Sequence, residues 1–260
     1  MPLFGAKLSD IEYRLLENVR KNKAVFPDEI QQIETGSTLI RDLTEITKEA
    51  SKEYPEKPNY STNHELFARN RQLLLNAYVS LLFSSYGTQF VILRTVLENN
   101  NLMRLFNKNP QYAFEWLPVN LQKRFTAEMQ SKYGKSGKHD RTYYPSFVRK
   151  LVFDTVEKEK VRDDIKKFYD QLCDYTHPNY AGWKELVVQK QDGERILNVP
   201  CFSLVESDTA IGVYLFSMQT TFKAFVETFR GYLAGFAIQL KTWQERNIEL
   251  LLRHMENRKT

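Results

Sequence analysis

From Gln72 to Leu93 the chain runs through twenty-two positions without a single charged side chain. A segment of that kind has two homes, a lipid bilayer or the interior of a protein. A spanning helix needs about 20 predominantly apolar residues. This stretch instead contains Asn76, Ser80, Ser84, Ser85, Gly87, Thr88 and Gln89. It reads as two helices that meet near Gly87 inside a protein core, with no membrane partner.

Helical periodicity dominates the remainder. Ser9-Asp10 can cap a helix to about Asn22, with Ile11, Leu15, Leu16 and Val19 on one stripe. Pro27 suits the first position of a second helix reaching Glu53, interrupted near Gly36. A Pro55-Glu-Lys-Pro58 linker follows. Asn63 can cap a helix through about Ser85, and a further helix runs from Gly87 to about Asn107. Shorter helices are expected at about 111–116, 119–132, 145–155 and 157–176. Asp192-Gly193 between two β-favouring runs signals a hairpin at about 183–200. Ser207 or Asp208 then caps a long final helix, or a pair broken near Gly231 or Gly235. Ten glycines and nine prolines in 260 residues are too few for an all-β sandwich. The expected fold is mainly α, an up-and-down helical bundle with a small β-hairpin insertion. An N-terminal helical region at 1–58 precedes the bundle at 59–260.

Several function classes drop out early. The two cysteines, Cys173 and Cys201, make neither a disulfide framework nor a metal pair, and a reducing cytoplasm is the simplest setting. The histidines are scattered at 64, 139, 177 and 254, with no metal-ligand spacing, so neither a metal nor a cofactor is expected. The N-terminal Met-Pro-Leu-Phe-Gly-Ala-Lys shows no signal-peptide pattern. The net charge of +5 is mild, but residues 121–150 carry eight basic side chains against Glu128 and Asp140. Within that window Lys132, Tyr133, Lys135, Lys138 and Arg141 interleave cations with an aromatic ring, a pattern suited to phosphate backbones and bases. The alternative for such a loop is a solvated surface.

Phe168-Tyr-Asp-Gln-Leu-Cys-Asp-Tyr-Thr-His177-Pro-Asn is the chemically richest stretch. Pro178 stops a helix, so His177 sits at or just past its end. A helix C-terminus favours an imidazolium, and the side chain suits an acid, base or phosphate partner. Tyr175 flanks the same turn as a candidate base-stacking ring. The segment resembles the signature of the HEPN-like superfamily, in which Arg is followed after four to six residues by His. His177 fills the histidine slot, while Asp170, Gln171 and Leu172 occupy the arginine slots. A second resemblance, to uncharacterised helical proteins, rests on Arg94-x-x-x-Glu98 and the later Tyr175-x-His177-Pro178 and covers residues 64–180. The resemblance implies a helical homodimer of defence or toxin–antitoxin type that binds or acts on RNA or nucleotides, with two histidine turns forming one site.

Arg94 and Glu98 are four apart and share a helix face. Asp174 and His177 are three apart at the end of another helix. A network of these four would satisfy every charge beside a core-facing stripe. In the functional reading His177 is the acid/base of a metal-independent endoribonuclease. Arg94 replaces the missing arginine, and Glu98 or Asp174 orients the ring. In the architectural reading the same network only fixes the bundle of a protein-interaction module.

Overall fold

Proline opens three of the helices, at positions where its missing N–H costs nothing. The computed structural model describes residues 8–117, 127, 169, 170, 172, 187–189, 195–197 and 201–257. Among the described residues the helices with described ends are, in chain order, α1 (Leu8–Val25), α2 (Pro27–Glu53), α3 (Pro58–Leu82), α4 (Tyr86–Lys108), α5 (Pro110–Trp116), α6 (Leu204–Phe229) and α7 (Ala237–Asn257). A 3-10 turn at Arg230–Tyr232 separates α6 from α7, close to the expected break. Between α5 and α6, Val187–Gln189 and Arg195–Leu197 pair antiparallel, with Val188 opposite Ile196. Asp192 and Gly193 lie outside the described residues. The architecture is mainly α, and no described helix is long and apolar enough to cross a membrane.

One face of the uncharged segment lies in the core, while Leu75, Val79 and Val91 on its other side are exposed. Leu74, Ala77, Leu81, Tyr86, Phe90 and Leu93 are buried, and the segment bends at the α3–α4 corner. There the Ser85 N–H donates to Ser80 O at 2.8 Å and the Ser84 N–H to Leu81 O at 2.9 Å. These are the two bonds of a Schellman ending, usually built on glycine. Ser84 takes the left-handed position at φ 59°, which costs an L-residue about 1 kcal/mol. Helix α1 offsets that strain. Asn22 Nδ2 lies 3.2 Å from Ser84 Oγ and 3.3 Å from the carbonyls of Leu81 and Leu82, and Asn18 Nδ2 donates to Phe83 O.

Helices α3, α4 and α6 surround a core of Phe67, Phe106, Tyr214, Phe222, Phe225 and Phe229. Buried amides and hydroxyls knit the same three helices. Asn70 Nδ2 donates to Asn100 Oδ1 and Asn99 Nδ2 to Asn70 Oδ1, while Asn100 Nδ2 reaches Thr220 and Thr221. Asn63 was expected to cap α3 but stands inside it, because the helix begins at Pro58. Its Nδ2 donates to Met103 O and Thr228 Oγ1. The expected caps of α6 are corrected as well. Ser203 holds that place, accepting from the Glu206 N–H, whereas Ser207 is buried 2.6 Å from Tyr86 Oη.

Helix α2 does not break at Gly36. A side chain there would collide with α7. A Cβ at Gly36 would lie 2.7 Å from Trp243 Nε1 and closer still to Met218 Sδ. Beside this contact Gln32 and Trp243 bond reciprocally, Nε2 to Trp243 O at 2.7 Å and the indole N–H to Gln32 O at 2.9 Å. Gly36→Ala is therefore expected to lower the unfolding free energy by about 1–3 kcal/mol. Urea denaturation followed by tryptophan fluorescence checks this; an unchanged midpoint would mean that α2 and α7 are farther apart than described.

Candidate functional site

On α4 the buried stripe runs through Phe90, Leu93 and Leu97, and Arg94 and Glu98 stand at its edge. Their side chains are 17% and 23% exposed, so each charge needs an answer. The answer is partly mutual, since Arg94 Nε donates to Glu98 Oε1 at 3.1 Å. The i, i+4 spacing legible in the sequence is thus a real ion pair.

A third residue completes the cluster. Tyr169 is helical, 5% exposed, and donates its hydroxyl to Glu98 Oε1 at 2.6 Å. Its oxygen also lies 3.4 Å from Arg94 Nε, and the guanidinium carbon stands 5.4 Å from its ring centroid. Such a cation over an aromatic face contributes about 0.5–2 kcal/mol. Burial, first, and then the bond to Glu98 push the Tyr169 phenol well above its ordinary range, with Arg94 opposing. Tyr169 is thus a donor that keeps its proton, and Glu98 is a carboxylate held between a phenol and a guanidinium. The arrangement can orient a helix and hold charge beside it.

Arg94 and Glu98 are therefore brought together. Asp174, His177, Tyr175, Lys132, Tyr133, Lys135, Lys138 and Arg141 lie outside the described residues. Of the positions in the superfamily's arginine slots, Asp170 is exposed and Leu172 is buried in the core, both helical. Among the described residues no cluster of His, Cys, Asp and Glu could hold a metal ion.

Two polar groupings escaped the sequence reading. Arg104, 8% exposed, reaches Glu227 across α4 and α6 at 2.9 and 3.4 Å. Its signal was its position seven residues after Leu97 on the buried stripe, where an arginine must find a carboxylate. His254 is buried between two acids, with Nδ1 2.6 Å from Asp208 Oδ1 and Nε2 3.7 Å from Glu29 Oε1. It joins the ends of α2, α6 and α7, and nothing in the local sequence announces it. Tyr169 also carried a weak signal. A tyrosine on a core-facing position needs a partner for its hydroxyl, but nothing nearby names Glu98.

No family model matches the chain, and neither the curated proteins nor the solved structures hold a significant match.

Tyr169→Phe removes a bond to a charged acceptor and is expected to cost about 1.5–3 kcal/mol, read by urea denaturation. The alkaline limb gives a second check. Unfolded tyrosines release protons near about 10, whereas folded Tyr169, like Tyr78 and Tyr214, holds its proton to higher pH. Stability is then fully present below about pH 10 and falls as pH rises from there toward the titration of the folded group. Tyr169→Phe should make the fall shallower; an identical slope in wild type and variant would deny Tyr169 its buried bond.

Proposed function

We propose that this is an RNA-directed helical protein of HEPN-like type, in which α4 braces a helix that ends in a histidine. The observation that carries the reading is the contact of Tyr169 with both Arg94 and Glu98. Tyr169 precedes His177 by eight residues, so the contact supports the expected alignment of the Arg94 helix with the His177 segment. In this reading His177 exchanges a proton with a ribose hydroxyl or leaving oxygen, without a metal. Such help contributes about 10²–10⁴-fold. Arg94 supplies positive charge nearby, while Glu98 and Asp174 hold positions. The basic loop with Lys132, Tyr133, Lys135, Lys138 and Arg141 gathers RNA, with Tyr175 stacking a base. The setting that the resemblance suggests is cytoplasmic defence or a toxin–antitoxin system, with two protomers bringing their histidine turns into one site.

A second reading has its own support. Glu98 Oε1 already accepts from Arg94 and Tyr169, so these charges are answered without any substrate. This favours a non-catalytic module that engages a protein partner.

Cleavage and salt-dependent binding of a mixed RNA pool separate the two. Catalysis predicts cleavage by the wild type that is lost by at least about a hundredfold in His177→Ala. Glu98→Gln should retain part of the activity. Salt-sensitive binding without cleavage would keep RNA and remove the reaction. Neither binding nor cleavage would leave the interaction module.

A further inference from the structure

Helix α7 presents two distinct apolar faces. The inner one, Leu240, Trp243, Leu250 and the buried His254, lies against α2 and α6. The outer one carries Ile238, Lys241, Glu245, Ile248, Leu252 and Met255, at alternating spacings of three and four. Its apolar members are far from covered: Ile238 is 82% exposed, Ile248 49%, Leu252 52% and Met255 60%. Alternating three-four spacing is the seam of a two-stranded coiled coil, and it needs a second helix to bury it. Ile248, Leu252 and Met255 form a continuous exposed stripe over the last turns, with Ile238 beyond Lys241 and Glu245, and such a stripe calls for a cover.

The charges within the stripe select the occupant. Lys241 and Glu245 are exposed and stand 3.8 Å apart in one copy. In an antiparallel pair centred on residue 243, Lys241 of each copy opposes Glu245 of the other, and Ile238 opposes Ile248. Beside the two-fold axis Thr242 of each copy lies near Gln244 of the other, and both are neutral, so no like charges meet there. Toward the ends, Leu252 and Met255 reach the other copy's α6–α7 corner. That corner offers room. Gly231, Ala234 and Gly235 are exposed there, and a Cβ at either glycine would meet nothing within 4 Å. A parallel pair would instead set Lys241 against Lys241 and Glu245 against Glu245.

We propose that the outer face of α7 is the interface of a symmetric antiparallel dimer of this chain, with register set by reciprocal Lys241–Glu245 pairs between Ile238–Ile248 layers. The contact is isologous, the same patch on both copies, and closes on itself. In this register residues 237–249 of the two α7 helices face one another over about 20 Å. The inference stands on α7 alone and is separate from the RNA reading, whose failure would show in the cleavage assay and leave this interface untouched.

Sedimentation equilibrium of the full chain, from low to high micromolar concentration, tests it. The wild type should show a monomer–dimer equilibrium. Ile238→Asp combined with Ile248→Asp should give a monomer throughout, with unchanged helical circular dichroism, because both side chains face solvent in the single copy. Lys241→Glu and Glu245→Lys should each weaken association about tenfold or more, since each introduces two like-charge contacts per dimer. The combined swap should restore it. A wild type that stays monomeric, or a dimer indifferent to the two isoleucine substitutions, would overturn the interface. Failure of the combined swap to rescue would overturn the register.

Discussion

The bundle depends on a seam of amides and hydroxyls buried where apolar side chains alone would suffice to fill space. Asn63, Asn70, Asn99 and Asn100 meet Thr220, Thr221 and Thr228 among α3, α4 and α6. Apolar contacts tolerate a helix slipping by a turn, because one leucine replaces another. Hydrogen bonds do not, since a slip leaves several buried polar groups without partners at about 1–3 kcal/mol each. The phenylalanine-rich core supplies the larger attraction, and the polar seam decides which alignment receives it. Arg104 with Glu227 extends the seam toward the end of α4, and Tyr214 donating to Leu74 O extends it along α3.

That alignment also places the cluster at Arg94. Leu93 and Leu97 must face the core while Asn100 meets α6, and the helical repeat then leaves Arg94 and Glu98 at the rim. Their position is a consequence of packing before it is anything chemical. At the rim the pair is placed to meet Tyr169 from a neighbouring helical segment.

Much of the helical layout was legible because apolar periodicity reports burial directly. The start of α2 and the extent of α4 follow from Pro27 and from the run beginning at Gly87, and of the two forms expected for the last segment, one helix or a pair broken near Gly231 or Gly235, the structure has the pair. The errors share one cause. Asn63 and Ser207 are residue types that favour helix starts, and Gly36 is a type that favours breaks, so local reasoning assigned them those roles. Each serves a distant partner instead: Met103 and Thr228, Tyr86, and Trp243. The candidate site divides in the same way. Arg94 with Glu98 follows from spacing along one helix, whereas Tyr169 arrives from 71 residues away and depends on how helices cross.

The reciprocal bond between Gln32 and Trp243 spans 211 residues of chain. At ribosomal speeds of about 5–20 residues per second, α2 emerges on the order of ten to forty seconds before the helix that covers it. During that interval the bare backbone at Gly36 awaits Met218 and Trp243. Helix α7 thus enters a groove on α2 that was made well before it. Until then the nascent protein offers chaperones an apolar face that the finished molecule conceals.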